Sequence, residues 1–264
     1  NTDSMIYARR TEAMFAYVVA SLGKCLLIKK EDAGDVFSRD VDIIIPDYRL
    51  VLEDGCQLLV EVKNYRQRSA FDDFTIKTEY LDQIISYAKM VGTELFFAIY
   101  WSLWGMWTLV SVDDFQRNES TATLSFHTAI KRNGMMRLGD AFIGTTPPLS
   151  FRLYPDKERP HSVDAEGKAE FTIGSVEIRC KESIIALENE QRIALALMMF
   201  GDWEETSRAY YSNEHSKEIG YVEFLYYPGE YVEEQGFDLV GSISTIISRQ
   251  YGQLTAPDGK VERL

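Results

Sequence analysis

A glutamate and a lysine stand two positions apart in the otherwise apolar run "LLVEVKNY", from Leu58 to Tyr65. Alternate residues of a strand project from the same face, so Glu61 and Lys63 are predicted to point to one side and Val62 to the other. Burying a charge is unfavourable unless the charge is paired or bound to a metal. A carboxylate beside an ammonium group can hold a divalent cation and orient a water molecule, because hard cations such as Mg²⁺ prefer oxygen ligands. The pair therefore indicates either hydrolytic chemistry at a metal or an exposed strand face that carries a salt bridge.

A hydrolytic metal site needs a second carboxylate from a neighbouring element. The stretch "VDIII" contains Asp42 and is predicted to be a strand that returns through the "EDG" turn at 53–55, which can bring Asp42 beside Glu61. Asp47, in the dipeptide Pro46–Asp47, lies nearly opposite Glu61 when residues are counted back from the turn. We prefer Asp42, because it leads directly into the apolar run, whereas a proline can break a strand. Either aspartate could instead be a strand-terminal or turn residue.

Residues 3–23 are predicted to form a helix, since apolar residues recur there at spacings of three and four. On this helix the neighbours of Glu12 at i−4 and i+3 are Ala8 and Phe15, so its carboxylate faces the apolar side. A glutamate is seldom left in such a position without a partner. The partner could be a metal, Lys63 or a bound water, or Glu12 could be a boundary residue paired with an arginine.

A second amphipathic helix is predicted at residues 76–91, with Gly92 just beyond its end. Gln83 and Tyr87 are spaced i, i+4 on it and therefore share a face. An amide and a phenol in this arrangement could bind a phosphate or hold the catalytic groups in place. The same spacing also occurs where a helix passes from surface to core.

The order of these features, E…D…ExK…QxxxY, resembles that of the PD-(D/E)XK nuclease superfamily over about residues 4–110. The resemblance implies an α/β fold of the restriction-endonuclease type, with a mixed central sheet flanked by helices. It also implies hydrolysis of phosphodiester bonds with Mg²⁺ as cofactor and Mn²⁺ as a substitute, and we expect DNA as the substrate.

The resemblance also assigns roles to individual residues. Asp42, Glu61 and the carbonyl of Val62 would bind the metal, with Glu12 completing the shell directly or through water. Lys63 would orient the attacking water and stabilise the transition state. Gln83 and Tyr87, a polar pair on the second helix, would contact the phosphate or hold the residues around the site in place.

The pattern of elements changes after about residue 116, where short strands are separated by turns rich in Pro, Gly and Asp. We therefore predict a nuclease-like α/β domain at residues 1–116 and a smaller α+β accessory domain, of unassigned role, at residues 117–264. No internal repeat is visible.

Composition limits the classes of partner. The net charge of −13 argues against a general polyanion binder, so contact with nucleic acid would need metal ions and a local basic patch such as "KNYRQR", with Lys63, Arg66 and Arg68. Three scattered cysteines exclude a complete disulfide framework and any CxxC metal site. The apolar runs are shorter than the ~20 residues of a membrane span, and no leader pattern opens the chain. We expect a cytoplasmic protein without membrane contact, and the sequence allows a homodimer.

Three other interpretations compete with the nuclease. The same fold could bind nucleic acid or a protein partner without catalysis, which the acidic composition favours. It could cleave RNA instead of DNA. It could also be an interaction module in which Glu61 and Lys63 form only a surface pair, worth ~0–1 kcal/mol.

Overall fold

The computed structural model describes residues 2–39, 42–163, 168–212 and 218–256 of the 264-residue chain. Its helices and strands, in chain order, are α1 (Thr2–Leu22), β1 (Cys25–Lys30), β2 (Tyr48–Leu52), β3 (Gln57–Tyr65), β4 (Phe74–Lys77), α2 (Thr78–Val91), β5 (Glu94–Trp101), β6 (Met106–Ser111), β7 (Gln116–Arg117), β8 (Thr121–Leu124), α3 (Phe126–Lys131), β9 (Phe142–Thr145), β10 (Leu149–Pro155), β11 (His161–Val163), β12 (Ala169–Phe171), β13 (Ile173–Cys180), β14 (Ser183–Ile184), α4 (Glu188–Phe200), β15 (Glu204–Tyr211), β16 (Ile219–Tyr227), β17 (Asp238–Ser242) and α5 (Ile243–Thr255). None of the helices within these ranges is both long and apolar enough to cross a membrane.

The chain forms two compact units. The first comprises Asn1–Ala141 together with Ile243–Leu264, and the second comprises Phe142–Ser242. This division differs from the boundary predicted near residue 116. Strands β7 and β8 pair with β4, which keeps them in the first unit. Helix α5 also returns to that unit, where the side chain of Ser248 accepts a hydrogen bond from Nε1 of Trp107 at 2.9 Å.

The first unit is built on a five-stranded mixed sheet with the order β1–β2–β3–β5–β6. Strands β3 and β5 are parallel and the other neighbours are antiparallel. Helix α2 supplies the crossover between the two parallel strands, as parallel pairing requires. The predicted mixed α/β fold, with a mixed sheet flanked by helices, is confirmed.

Strand β3 is buried on both of its faces. Leu58, Val60 and Val62 pack in the cluster that contains residues of α1 and α5, whereas Leu59 packs in the cluster that contains residues of α2 and α3. Glu61 follows Leu59 by two positions and therefore projects toward the α2 side. A strand buried on both faces has no solvated face on which a charge could rest without a partner.

The strand predicted at "VDIII" is wrong from Asp42 onward, because residues 42–47 are irregular and the strand begins only at Tyr48. Val41 lies outside the described residues. Pro46 has no N–H to donate to a ladder, which places the start of β2 after it. The apolar character of the stretch has another cause. Ile44 packs against the cluster beneath α2, and its N–H donates to the carbonyl of Gln83 at 3.4 Å.

The chain leaves the first unit after Ala141 and returns to it at Ile243, and these two residues are neighbours in the first unit. The N–H of Ile243 donates to the carbonyl of Ala141 at 2.9 Å, and the N–H of Ser244 donates to Oδ1 of Asp140 at 2.9 Å. The chain therefore leaves the first unit and rejoins it at the same place.

The second unit is built on an antiparallel sheet with the order β14–β13–β10–β16–β15, accompanied by α4 and by the pair β9–β17. Its aromatic side chains pair across strands, as in the stacked rings of Phe151 and Phe224 and of Tyr210 and Tyr221. Glu223 is buried on β16 and forms an ion pair with Arg152 at 2.7 Å.

Candidate active site

Asp47 and Glu61 come together at the start of β2. The antiparallel register places Tyr48 opposite Val60, so the preceding residue, Asp47, lies alongside Glu61. Oδ2 of Asp47 accepts a hydrogen bond from the N–H of Val62 at 2.7 Å. Glu61 itself is only 4% exposed. Two carboxylates thus share a largely desolvated position where the sheet contributes one backbone donor.

Lys63 and Tyr80 complete this cluster, which we call the carboxylate–lysine cluster (Asp47, Glu61, Lys63 and Tyr80). Nζ of Lys63 donates to Oε1 of Glu61 at 2.6 Å and to the hydroxyl of Tyr80 at 2.9 Å. The Tyr80 hydroxyl in turn donates to the same oxygen of Glu61. An ammonium group has three N–H donors, so Lys63 keeps one for a further acceptor.

The environment makes the ionised form of Asp47 unfavourable. Burial, followed by the charge of Glu61 and then that of Glu12, raises the pKa of Asp47 to about 7, although the Val62 N–H and Lys63 act in the opposite direction. An isolated aspartate titrates near 3.8. Two like charges that repel each other in a desolvated place are a common property of catalytic and metal sites.

Lys63 remains a cation at any pH near neutrality. Burial would lower the pKa of its ammonium group, but the charge of Glu61 and the hydrogen bonds to Glu61 and Tyr80 outweigh burial and raise the pKa above its ordinary value. Burial and the charge of Glu61 also raise the pKa of Tyr80, so its hydroxyl keeps its proton. Lys63 is therefore equipped to stabilise negative charge and not to accept a proton.

Glu12 lies near these groups but is paired elsewhere. Its Oε2 accepts a hydrogen bond from Nζ of Lys30 at 3.2 Å, and its backbone carbonyl accepts one from the Tyr48 hydroxyl at 3.1 Å. The partner is a lysine of β1, which the sequence did not identify. Its charge nevertheless contributes to the raised pKa of Asp47, so Glu12 belongs to the surroundings of the cluster.

The donor set fits a hard divalent cation. In the described part of the chain, no three His, Cys, Asp or Glu side chains come close enough together to form a metal site. Mg²⁺, however, is usually bound through one or two carboxylates and keeps several waters. Oδ1 of Asp47 and Oε2 of Glu61 accept no hydrogen bond from the described residues. A cation there would also relieve the repulsion that raises the pKa of Asp47.

The structure reverses the preference between the two aspartates. Asp42 is exposed, and its Oδ2 accepts a hydrogen bond from Nε2 of Gln83 at 2.6 Å. Asp47 is the aspartate that lies beside Glu61. The preference for Asp42 depended on a strand at "VDIII", and the strand instead begins one residue after Asp47.

Tyr87 lies in a different cluster from the one predicted. Its hydroxyl donates to Oε1 of Glu31 at 2.6 Å, and Glu31 also accepts hydrogen bonds from Nε and Nη2 of Arg49. These contacts, with that of Arg49 first, hold the pKa of Glu31 down at about 2 although burial opposes them. In the structure Gln83 and Tyr87 therefore anchor α2 to the segments before and within β2.

Tyr80 is the residue that the sequence analysis missed. It precedes Gln83 by three positions and Tyr87 by seven, so all three share one face of α2. The i, i+4 spacing had already placed Gln83 and Tyr87 on that face. Extending the periodicity by one turn toward the start of the helix would have found Tyr80.

Comparisons with known proteins find similarity among solved structures alone. No protein-family model matches the chain, and no curated protein matches it. Among solved structures, Hjc, a Holliday junction resolvase from the archaeal hyperthermophile Archaeoglobus fulgidus, is similar over 50% of this chain and 98% of its own, with a TM-score of 0.40 and 14% sequence identity. The residues of the carboxylate–lysine cluster therefore carry the functional assignment.

Proposed function

We propose that this chain is a metal-dependent nuclease that hydrolyses phosphodiester bonds, with DNA as its substrate. One observation carries the proposal: Asp47 and Glu61 meet beside Lys63 in a desolvated place where the pKa of Asp47 is raised to about 7. A salt bridge on a strand face would need one carboxylate, whereas hydrolysis at a metal uses two and a cation beside them.

Asp47, Glu61 and the backbone carbonyl of Val62 are the groups that would hold Mg²⁺ or Mn²⁺. When bound, such an ion would supply a water of lowered pKa and positive charge opposite the phosphate. The N–H of Val62 fixes the Asp47 carboxylate at 2.7 Å, so this side chain needs no reorganisation to act as a ligand. Glu12 would add negative charge nearby, which strengthens the attraction for a dication.

Lys63 acts on the phosphate side of the reaction. Two of its N–H groups are fixed by Glu61 and Tyr80, and the third can reach the attacking water or a phosphoryl oxygen. A fixed cation in a desolvated site stabilises the charge that develops in the transition state. Tyr80 is a positioning residue in this scheme, because it contacts Lys63 and Glu61 at the same time.

Asp42 and Gln83 take a supporting role in this proposal. Their hydrogen bond at 2.6 Å, with the backbone bond from Ile44 to the Gln83 carbonyl, ties the irregular segment before Asp47 to α2. The pair therefore determines where Asp47 is held relative to the sheet. Tyr87 acts one turn further along α2, through Glu31.

A second candidate function is binding of nucleic acid or a protein without catalysis. The observation that favours it is the ion pair of 2.6 Å between Lys63 and Glu61, which already neutralises the more buried carboxylate. In that case the cluster would stabilise the sheet and no metal would bind.

The test is a cleavage assay on the full chain, with labelled single-stranded DNA, duplex DNA and RNA offered separately in Mg²⁺, Mn²⁺ or EDTA. We expect DNA cleavage only with a divalent ion, and loss of cleavage in Asp47→Asn, Glu61→Gln and Lys63→Ala variants that keep the wild-type circular dichroism spectrum. Asp42→Asn is the matched control and should retain activity, because the asparagine oxygen can still accept the hydrogen bond from Gln83. Equal cleavage by wild type and Glu61→Gln, or cleavage in EDTA, would refute the nuclease.

A further inference from the structure

An exposed pair of aromatic rings lies beyond the end of β3. Phe71 is 70% exposed and Trp104 is 44% exposed, and both pack on the buried ring of Phe126. The Trp104 ring is stacked on Phe126 at 5.7 Å between centroids with 12° between planes, and the centroids of Phe71 and Trp104 are 6.4 Å apart. We call these three residues the aromatic platform. Soluble proteins rarely leave adjacent large rings open to water without a use for them.

The platform is held in place by hydrogen bonds. Nε1 of Trp104 donates to the carbonyl of Ala70 at 2.8 Å, which joins the turn between β5 and β6 to the loop that follows β3. The N–H of Ser102 donates to the carbonyl of Tyr65 at 3.0 Å, which attaches the same turn to the end of β3. The platform is thus fixed relative to the strand that carries Lys63.

The loop between β3 and β4 also has a fixed shape. Asp72 accepts hydrogen bonds from the N–H of Arg68 at 2.6 Å and from the hydroxyl of Ser69 at 2.9 Å. These contacts occupy the Asp72 carboxylate with groups of its own loop. The charge of Arg68 also acts on the Asp72 carboxylate.

Two arginines follow Lys63 in the chain before Phe71 is reached. Among the residues that the structure describes, neither Arg66 nor Arg68 takes part in an ion pair, in a chain whose net charge is −13. Arg66 lies 4.8 Å above the ring of Tyr7, and both arginines line a cavity of about 410 Å³ that Asp72 and Asp73 also line. With a strand rise of about 3.3 Å per residue, Arg66 follows Lys63 by about 10 Å along the chain.

We infer that the aromatic platform binds unpaired bases, so that the substrate of this chain is single-stranded or locally unpaired nucleic acid. This inference rests on the proposed function and names its substrate class. Guanidinium groups match phosphate geometry, and bases stack on aromatic side chains with little regard to sequence. The backbone would run along Arg66 and Arg68 toward Lys63 while bases stack on Phe71 and Trp104. A paired duplex cannot engage the platform, because its base faces are covered by their neighbours.

The test is a binding measurement on the full wild-type chain in EDTA, where no cleavage is expected. Fluorescence anisotropy would compare labelled 20-nucleotide single-stranded DNA, a duplex of the same sequence, and a duplex with a central unpaired loop. We expect the single strand and the looped duplex to bind at least about tenfold more tightly than the plain duplex. The single strand should also quench tryptophan fluorescence, and Trp104→Phe should remove that quenching while it keeps most of the affinity.

The variants Phe71→Ser and Trp104→Ser should each weaken single-strand binding about tenfold and leave duplex binding unchanged. Met136→Ser is the matched control, since Met136 is 80% exposed elsewhere in the same unit, and it should alter neither. Equal affinity of wild type for single strand and duplex, or wild-type binding by both serine variants, would overturn the inference. So would a dimer in sedimentation that Phe71→Ser dissociates, because the platform would then serve a second copy of the chain.

Binding in EDTA separates this inference from the nuclease itself. A chain that binds single strands through the platform but cleaves nothing in Mg²⁺ would refute the nuclease and retain the platform. If both serine variants cleave single-stranded DNA at the wild-type rate, the nuclease is retained and the platform is refuted.

Discussion

The replacement Asp47→Asn should stabilise the folded protein at alkaline pH while it abolishes the proposed activity. Asparagine has nearly the shape of aspartate, and its side-chain oxygen can still accept the hydrogen bond from the N–H of Val62. It cannot ionise. The variant therefore removes the repulsion from Glu61 and Glu12 without creating a cavity.

The raised pKa of Asp47 sets the size and direction of the effect. The folded chain holds a proton on Asp47 up to about pH 7, whereas the unfolded chain releases it near pH 3.8. Between these values the folded state binds the extra proton, so the stability of the wild type falls as the pH rises. Since one pKa unit corresponds to about 1.4 kcal/mol, the loss reaches at most about 4 kcal/mol at pH 8.

The assay is urea unfolding in EDTA at several values between pH 4.5 and pH 8, followed by the fluorescence of the buried tryptophans of the first unit, Trp101 and Trp107. The free energy of unfolding of Asp47→Asn should exceed that of the wild type by up to about 4 kcal/mol at pH 8, and by about 1 kcal/mol at pH 4.5. Asp42→Asn serves as the control, because its carboxylate is exposed and bonded to Gln83.

Parallel pH profiles for the wild type and Asp47→Asn would show that Asp47 titrates normally. The raised pKa would then be absent, and with it the main support for a desolvated pair of carboxylates. A flattened profile in Asp42→Asn instead would return the metal-ligand assignment to that residue.

Three further outcomes are expected. Mg²⁺ at a hundred times its Kd should add about 2.7 kcal/mol to the free energy of unfolding of the wild type and so raise its melting temperature. The melting temperature of Asp47→Asn should not change in the same thermal scan. Tyr80→Phe should lower the rate of single-turnover cleavage about 10- to 100-fold, because a hydrogen bond to a charged group contributes about 1.5–3 kcal/mol. Tyr87→Phe should keep the wild-type rate. A slow Tyr87→Phe beside an unaffected Tyr80→Phe would show that Tyr87, not Tyr80, serves the site. Glu31, whose pKa is lowered to about 2, should contribute up to about 3 kcal/mol of stability above pH 4.5, and this contribution is lost as the pH falls toward 2. In unfolding measurements from pH 2 to 5, the stability of Glu31→Gln should therefore depend less on pH than that of the wild type.

The sequence predicts the parts of the fold that depend on local chemistry. The periodic helix before Gly23 and the helix before Gly92 are found at α1 and α2, and Gly92 adopts the left-handed conformation that ends a helix. The "EDG" turn and the apolar run after it predict a hairpin that leads into β3, and β2 pairs with β3 across that turn.

The misplaced features depend on contacts between distant segments. The run "DIII" has the composition of a strand, yet Ile44 is partly buried because it packs against the cluster that contains residues of α2. Tyr87 fits the spacing of a site residue, yet it lies against Glu31, which is 56 positions away along the chain. Periodicity indicates that such side chains face inward but cannot identify the partner they meet.

The adjacency of Ala141 and Ile243 makes the middle of the chain a detachable module. A short glycine–serine connector between these two positions should span the gap, because their backbones are already hydrogen-bonded at 2.9 Å. A truncation after residue 116 or 141 would instead remove α5 and uncover Trp107, which is 1% exposed. Excision of the module and terminal shortening are thus opposite experiments. Excision tests what the inserted segment adds to substrate choice. Truncation removes part of the first unit, which holds the proposed catalytic residues.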